Sequence, residues 1–415
     1  MSSRRVFLRS SAIAMFGVGS VPTWLSRAVF AEDAPGERKK VLIAIFQRGA
    51  VDGLNVVIPH GEPAYYAMRP SIAIPRPNGN ESSAIDLDGH FGLHPALGSL
   101  KPLWDQKQLG IVTAVGSPDP TRSHFDAQDY MESGTPGFKA TADGWLNRAL
   151  CPETNPSALR AISLGPELPR SLRGKHGAVA VSSINDFQVK DAQAASIFEN
   201  MYGTSLDQVL NGTARETFNA VRIMQSIQNK PYTPANNARY PYGTFSQSML
   251  QLARIIKANV GLEVAFTDVG GWDTHVNEVG PQPHVGKLAN LLREFGDSIA
   301  AFSQDMGDRM EDITLVTMSE FGRTARENGN RGTDHGHANY MFVLGSQVKG
   351  GFVHGEWPGL ATEQLYEGRD LSVTTDFRSV LSQVVATQLG NRELATVFPG
   401  FRPPRSASDS LHLFA

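Results

Sequence analysis

The sequence predicts an α/β protein with a mostly parallel sheet, because short apolar runs alternate with amphipathic stretches. Residues 41–46 are a continuous apolar run of strand length, which is typical of a strand buried on both faces. Between residues 285 and 306, apolar side chains recur at steps of three and four, which predicts a long helix with one buried stripe. That helix leads into a second apolar run at 313–318. Helices and strands in this alternation are typical of a parallel sheet.

Similar patterns predict the remaining elements. The length fits one large α/β domain with insertions, or two domains, and we expect one domain over residues 32–415. Residues 184–245 are less regular and are predicted to be an insertion or a cap. The single cysteine, Cys151, excludes an internal disulfide. Further strands are predicted at 109–115, 159–164, 178–183 and 262–266, and further helices at 96–108, 125–132 and 246–260.

The N-terminal segment has the features of an export signal. Residues 3–8 read Ser-Arg-Arg-Val-Phe-Leu, the twin-arginine pattern, and the apolar stretch at 12–21 is too short and too rich in glycine to span a bilayer. Val29 and Ala31 lie at the two positions that a signal peptidase reads. We therefore predict a signal peptide over residues 1–31, the twin-arginine translocase as a partner during export, a periplasmic or secreted protein, and no integral membrane anchor.

The charge balance argues against nucleic acid as a partner. The formal net charge is -3, and removal of residues 1–31, which contain four arginines and no acid, lowers it to -7. An acidic protein of this kind lacks the basic surface that attracts a phosphate backbone.

Clusters rich in His, Asp and Glu follow the predicted strands. Residues 270–275 read Gly-Gly-Trp-Asp-Thr-His, residues 319–322 read Ser-Glu-Phe-Gly, and residues 333–337 read Thr-Asp-His-Gly-His. Ligands of parallel sheets bind outside the carboxyl ends of the strands, so these clusters are expected to meet there. Carboxylates and imidazoles together suit one or two divalent ions, such as Zn, Mn, Mg or Ca. The predicted metal ligands in these clusters are Asp273, His275, Glu320, Asp334, His335 and His337.

Five segments together resemble the twin-arginine-exported bacterial family catalogued as domain of unknown function 1501. The similarity runs from about residue 40 to about residue 400, nearly the whole predicted mature chain. That family is similar to the alkaline phosphatase and sulfatase superfamily. This implies a three-layer α/β/α sandwich of the alkaline-phosphatase-like type, and metal-dependent hydrolysis of phosphate or sulfate esters of small molecules or polymers. The five segments are residues 49–55, 122–125, 270–275, 319–324 and 333–336.

The superfamily resemblance also implies roles for residues near the first two strands. An aspartate follows the first strand in that superfamily, and Asp52 matches it by position as a metal ligand. The nucleophile lies at a helix start, which implies Ser123, because orphan N–H groups and the helix dipole favour anions there. Ser123 could instead be a helix cap, in which case Thr121 and Ser117 are rival nucleophiles.

Two further side chains are expected beside the nucleophile. An arginine can bind the non-bridging oxygens of a phosphate or sulfate ester in a bidentate manner, and Arg122 or Arg323 is expected to do so. His124 is expected to act as an acid or base or as a further metal ligand. The catalytic residues implied in this way are Ser123, Arg122 and His124.

One departure from the superfamily pattern leaves the activity open. The strand at 313–318 resembles the strand that leads to the superfamily's Asp-His-Gly ligands, whereas here it leads to Glu320, Phe321 and Gly322. Phe321 cannot replace a histidine ligand, and the later cluster at 333–337 is a possible substitute. The alternative function is therefore a non-catalytic metal-binding or assembly protein that retains the fold.

Several other enzyme classes are poor fits. Formylglycine sulfatases need Cys-x-Pro-x-Arg or its serine form, but Cys151 is followed directly by Pro152 and Glu153. The chain has no Gly-x-Ser-x-Gly elbow, and no glycine-rich phosphate loop follows a predicted strand. A serine hydrolase or a nucleotide-binding enzyme is therefore not expected.

Overall fold

The computed structural model describes residues 38–154, 156–184, 219–403 and 411–414. The predicted signal peptide and most of the predicted insertion at 184–245 lie outside these residues. Residues 38–183 and 232–414 belong to one compact unit, which carries the sheet and the candidate site. The described residues of a second unit, 184 and 219–231, include a helix at 219–228.

The strands of the main unit form a nine-stranded sheet and a separate three-stranded sheet. The strands are β1 Val41–Gln47, β2 Val57–Ile58, β3 Ile85–Asp86, β4 Gly92–Leu93, β5 Leu109–Gly116, β6 Ala161–Leu164, β7 Val179–Val181, β8 Val264–Val269, β9 Ile313–Ser319, β10 Asn339–Leu344, β11 Val353–His354 and β12 Thr375–Asp376.

The α-helices of this unit lie between those strands or after them. They are α1 Gly53–Val56, α2 Pro63–Met68, α3 Lys101–Asp105, α4 His124–Ser133, α5 Trp145–Arg148, α6 Thr244–Lys257, α7 Lys287–Met306, α8 Phe377–Gln388 and α9 Leu394–Val397. Short 3-10 helices are found at Pro95–Leu100, Arg170–Leu172, Gly307–Asp312 and Thr362–Gln364.

The large sheet is mostly parallel, as predicted. Its strand order is β11-β5-β10-β9-β1-β8-β6-β7, and β12 also pairs with β5. β10 is antiparallel to β5 and β9, and every other described pair in this sheet is parallel. β1 lies between β8 and β9 and is buried along its whole length, which explains its unbroken apolar sequence. The mixed α/β class with a mostly parallel sheet is therefore confirmed.

The predicted long helix is confirmed as α7. Its buried stripe includes Leu288, Leu292, Phe295 and Ile299, whereas Val285 precedes the helix and is exposed. The helix predicted at 96–108 is divided instead into a 3-10 helix and α3. Leu97 departs from helical angles there, and Pro102, at the start of α3, lacks the N–H that a continuous helix would need.

Helix α8 covers part of the sheet with an apolar core. It packs against β1, β5, β9 and β12. Phe377, Leu381 and Val385 of this helix belong to one buried cluster with Leu42 and Phe46 of β1. This packing buries the face of the central strands that lies under α8.

A buried carboxylate anchors the carboxyl end of α7. Asp305 accepts hydrogen bonds from Lys257 Nζ at 2.5 Å, Tyr232 OH at 2.6 Å and Tyr240 OH at 2.9 Å. Burial raises the pKa of Asp305, but these hydrogen bonds outweigh burial and hold it below its usual value. The ionised carboxylate is therefore the stable form in the folded protein.

Replacing Asp305 with Asn should lower the free energy of unfolding by about 2–3 kcal/mol at neutral pH, because hydrogen bonds to a charged group are lost. A lowered pKa contributes stability above the unfolded carboxyl pKa of about 3.9 and loses it as the pH falls, so the difference from wild type should shrink in acid. Asp308→Asn, an exposed carboxylate three residues later, is the control. Equal denaturant midpoints for the two variants at pH 7 would contradict this role of Asp305.

Candidate metal centre

The loops that carry the predicted ligands lie at one edge of the large sheet. β1, β5, β8 and β9 run in the same direction, so their carboxyl ends share this edge. β10 runs in the opposite direction, so the loop that precedes it reaches the same edge. The sheet therefore brings together His124 after β5, Asp273 and His275 after β8, and His335 before β10.

Four side-chain atoms converge in this cluster. His335 Nε2 lies 3.0 Å from His124 Nε2 and 2.9 Å from His275 Nε2. Asp273 Oδ1 is 3.1 Å from His275 Nε2, 3.5 Å from His335 Nε2 and 3.7 Å from His124 Nε2. Ligand atoms of His124, Asp273 and His335 all lie within 4.8 Å of one another, so these three residues could hold one ion. We call the candidate site formed by His124, Asp273, His275 and His335 the metal centre.

The other nitrogen of each ring faces an oxygen. Nδ1 of His124 is 2.8 Å from Glu320 Oε1, Nδ1 of His275 is 3.0 Å from Asp334 Oδ1, and Nδ1 of His335 is 3.0 Å from the Arg122 carbonyl. Carboxylate and carbonyl oxygens only accept hydrogen bonds, so each Nδ1 carries the proton. This arrangement is typical of histidines that bind a metal through Nε2.

Protons alone do not satisfy these contacts. With Nδ1 protonated, His335 Nε2 has one lone pair and can accept from a single donor. It nevertheless lies within 3.0 Å of both other Nε2 atoms. Burial and the charge of His124 lower the pKa of His335, which keeps that lone pair free. A cation shared by these nitrogens would account for both contacts.

The spacing also fits a first-row divalent ion. In a tetrahedral zinc site with bonds of 2.0–2.1 Å, neighbouring ligand atoms are about 3.3 Å apart. The distances among His124, His335 and Asp273 are 3.0, 3.5 and 3.7 Å. The four side chains remain between 24% and 48% exposed, so solvent reaches the cluster.

Arg323 fixes the position of Asp273. Its guanidinium is buried and donates to Asp273 Oδ1 at 2.5 Å. It also donates to the carbonyl oxygens of Gly49, Ala50, and Thr333 at 2.7, 2.7 and 2.9 Å. Burial raises the pKa of Asp273, but Arg323 and the neighbouring histidines outweigh it and keep the pKa below its usual value. One arginine therefore joins the loops after β1, β8 and β9.

Glu320 and Asp334, both predicted as ligands, contact the ligand histidines instead of the centre of the cluster. Glu320 also accepts from the Gly49 N–H at 2.8 Å and from Gln128 Nε2 at 2.9 Å. Burial raises the pKa of Glu320, but its hydrogen bonds with His124 and Gln128 hold the pKa below the usual range. In turn, the hydrogen bond to Glu320 raises the pKa of His124.

Glycine is required where the first strand approaches this site. Gly49 has a φ of +116°, and a Cβ there would lie 2.7 Å from the Asp273 backbone nitrogen. The Gly49 N–H can therefore reach Glu320 while the chain passes directly beside the loop after β8.

Asp52 and His337 point away from the metal centre. Both oxygens of Asp52 accept from Arg69, at 2.5 and 2.9 Å, in a completely buried ion pair. His337 directs Nε2 to the Ser117 carbonyl at 3.1 Å, and its ring packs against Tyr366. Both residues were expected to bind metal. Arg69 occupies both oxygens of Asp52, whereas Nδ1 of His337 is buried without a hydrogen-bond partner, and neither residue belongs to the cluster.

The predicted catalytic residues have separate surroundings. The Arg122 side chain pairs with Asp370 at 2.6 Å and Glu367 at 2.7 Å, so only its carbonyl contributes to the site. Ser123 is the N-cap residue of α4, but its side chain makes no capping hydrogen bond. His124, the next residue, belongs to the metal centre. The ring centroid of Phe321 lies 5.0 Å from that of His124 and 5.1 Å from that of His335.

A cavity of about 710 Å³ opens at the same edge of the sheet, although none of the four residues of the metal centre lines it. Gln128 lines it, and this side chain bridges Arg48 in the cavity and Glu320 in the site. Phe125, which follows His124, also lines the cavity and is 89% exposed. The volume of this cavity is in the range typical of pockets for small ligands.

A family model described as "Protein of unknown function (DUF1501)" matches residues 83–393. The chain belongs to this family. The matched segment contains all four residues of the metal centre but not Asp52. No curated protein matches the chain.

One solved structure similar to the chain is the C-terminal periplasmic domain of EptC from Escherichia coli, in complex with zinc. Its sequence identity is 10%, the similarity covers 76% of this chain and 74% of that one, and the TM-score is 0.34. Similarity at this level does not establish a common site. Within the described part of the DUF1501 chain, no helix has the length and apolar character that crossing a bilayer requires.

Some functional side chains were missed at the sequence level. Gln128 lies four residues after His124 on α4, so helical spacing could have placed it on the same face. Glu278 lies three residues after His275 but outside any helix, so helical spacing gives no such signal for it. Arg69 has no comparable signal, because it lies at the end of α2, far in sequence from the loops that it contacts.

Proposed function

We propose that this DUF1501 protein is an exported, metal-dependent hydrolase of phosphate or sulfate esters with an alkaline-phosphatase-like α/β/α sandwich. The observation that supports this most is the convergence of three imidazole Nε2 atoms and the Asp273 carboxylate at the sheet edge where a cavity opens. An imidazole-rich donor set favours zinc over magnesium or calcium.

We assign separate roles to the residues of the site. His124, Asp273 and His335, joined by His275, would hold the ion, while Glu320 and Asp334 keep the Nδ1 protons in place and orient two of the rings. When bound, a divalent ion lowers the pKa of a water ligand and polarises a phosphoryl or sulfuryl oxygen. The organic group of the ester occupies the 710 Å³ cavity, with Phe125 at its apolar wall.

Ser123 is the proposed nucleophile. It directly precedes a metal ligand at the start of α4, and its hydroxyl is not used as a helix cap. The orphan N–H groups at the start of α4 favour an anionic ester at this position. His124 is assigned to the ion, so it is not available as a separate acid or base.

Ser123→Ala should reduce kcat by on the order of 10³-fold or more if the hydroxyl attacks the ester, while zinc binding stays unchanged. The measurement is hydrolysis of p-nitrophenyl phosphate, bis-p-nitrophenyl phosphate and p-nitrophenyl sulfate by zinc-loaded protein. Ser117→Ala removes a rival hydroxyl, one that accepts from the Asp119 N–H, and should retain full activity if Ser123 is the nucleophile. Full activity of the Ser123 variant would exclude this residue as the nucleophile.

A non-catalytic metal-binding protein is the second candidate, and one observation favours it. The Arg122 and Arg323 side chains, which were expected to bind ester oxygens, are both engaged by carboxylates. Zinc-loaded wild-type protein that hydrolyses none of the three esters would support this second candidate over the first.

A further inference from the structure

A buried group of charged side chains lies between the first strand and the metal centre. Asp52, Arg69 and Glu278 are all completely buried. Arg69 donates two hydrogen bonds to Asp52 and others to the carbonyl oxygens of Thr324 and Ala325. Glu278 is hydrogen-bonded to Asp52. The proposed hydrolase chemistry assigns no task to this group.

The charges in this group balance only if one carboxyl is neutral. Two carboxylates facing one guanidinium would leave a buried negative charge without a partner, which is costly. Burial, followed by the charge of Asp52, raises the pKa of Glu278 well above its usual value. Asp52 is already held by both guanidinium nitrogens, so Glu278 is the carboxyl that carries the proton and donates it to Asp52.

The remaining hydrogen bonds of Glu278 reach two loops of the metal centre. Its Oε2 accepts from Thr274 Oγ1 and Thr333 Oγ1, both at 3.1 Å. Thr274 lies between Asp273 and His275, and Thr333 precedes Asp334 and His335. The Thr333 N–H also donates to the Thr274 carbonyl at 3.2 Å.

A third contact connects Glu278 to helix α1, which follows β1. Asn55 Nδ2 donates to Glu278 Oε1 at 3.1 Å and to the Ile72 carbonyl at 3.1 Å. Asn55 accepts in turn from Tyr65 OH at 2.6 Å. The carboxyl group of Glu278 is therefore held by a buried chain of hydrogen bonds that runs through Asn55 to Tyr65.

We propose that the Asp52–Glu278 pair positions the metal centre by holding Thr274 and Thr333 together, so that Asp273 and His335 can share one cation. Glu278 is a positioning residue, because it acts through the two threonines and does not touch the ion. The inference rests on the proposed metal centre but not on ester hydrolysis.

The test is the Zn²⁺ affinity of purified protein, measured by competition with a chromophoric chelator. Glu278→Ala should weaken Zn²⁺ binding about 10–100-fold, the range typical of losing an outer partner of a metal ligand. Glu278→Gln should weaken Zn²⁺ binding less than Glu278→Ala, because its amide can donate to Asp52 and accept from both threonines and loses only the hydrogen bond from Asn55 Nδ2. The absorption spectrum of the Co²⁺-loaded protein should change in the Ala variant and not in the Gln variant.

A second variant removes one hydrogen bond without leaving a cavity. Thr333→Val keeps the side-chain shape and should weaken Zn²⁺ binding about tenfold, at the lower end of the same range. Thr267→Val is the matched control, because Thr267 is a buried threonine of β8 whose Oγ1 has no hydrogen-bond partner. Its Zn²⁺ affinity should equal that of wild type. If Glu278→Ala does not fold, the Zn²⁺ affinity of Thr333→Val tests the positioning role by itself.

The outcomes separate this inference from the metal centre itself. A wild-type protein that binds no Zn²⁺ would overturn the metal centre and this inference with it. Wild-type binding that is unchanged in both Glu278→Ala and Thr333→Val would overturn the positioning role alone. A folded Glu278→Gln protein that loses Zn²⁺ as strongly as Glu278→Ala would overturn the assignment of a proton to Glu278.

Discussion

Replacing His335 with Ala is expected to abolish specific divalent metal binding, and any metal-dependent hydrolysis with it. His335 is the residue whose Nε2 contacts both other imidazole nitrogens, at 3.0 and 2.9 Å. Its removal should weaken Zn²⁺ binding by more than the roughly 10–100-fold that loss of an outer partner costs. Equilibrium dialysis with Zn²⁺ measures this directly.

The same variant should lose its thermal response to chelator. A metal that binds only the folded state stabilises it by about 2.7 kcal/mol at a hundredfold excess over the dissociation constant. EDTA should therefore lower the Tm of zinc-loaded wild-type protein and leave the Tm of His335→Ala unchanged. Equal chelator effects on the two proteins would show that the ion binds elsewhere.

His354 provides a matched control for this result. It lies on β11, whose residues pair with Ile111 and Val112 of β5 and so lie away from the carboxyl end of that strand. His354→Ala removes an imidazole that contacts the Lys349 carbonyl at 2.8 Å. This variant should keep wild-type Zn²⁺ affinity and wild-type sensitivity to EDTA.

Replacing Arg323 with Met should lower the free energy of unfolding by about 2–4 kcal/mol, because the buried carbonyl oxygens of Ala50 and Thr333 each lose a charged donor, whereas Asp273 is half exposed and can be rehydrated. The variant leaves Asp273 and the carbonyl oxygens of Gly49, Ala50 and Thr333 without their donor. Such a loss is a large part of the 5–15 kcal/mol typical of a domain. Urea denaturation monitored by circular dichroism measures it.

Arg326 tests whether this effect depends on burial. It lies three residues after Arg323 and is exposed, so Arg326→Met should change the free energy of unfolding by no more than about 0.5 kcal/mol. If the two variants have the same urea midpoint, Arg323 does not hold the three loops together.

Much of the fold could be predicted because the spacing of apolar residues along the chain indicates which side chains are buried. The uninterrupted apolar run of β1 and the stripe of α7 both translate into their observed elements. The antiparallel direction of β10 could not be predicted, because direction depends on where the preceding loop crosses the sheet. The division of the helix predicted at 96–108 depends partly on the angles at Leu97, which an apolar pattern does not encode, and partly on Pro102, which the sequence does show.

That the side chains of the metal centre meet at one sheet edge could be predicted, but the contacts of each side chain there could not. A parallel sheet gathers the residues that follow its strands, so the meeting of Asp273, His275 and His335 follows from topology. Glu320 contacts Nδ1 of His124, and a sequence cannot show whether a carboxylate beside a histidine binds the ion itself or the nitrogen on the far side of the ring. Asp52 is engaged by Arg69, and nothing in the sequence pairs these two residues.

The most direct test of the metal centre is anomalous diffraction at the zinc absorption edge from crystals of the mature protein grown with Zn²⁺. We predict one strong peak within bonding distance of His124 Nε2, Asp273 Oδ1 and His335 Nε2. A zinc peak at another position, or no peak although dialysis shows bound zinc, would contradict a metal centre formed by these residues.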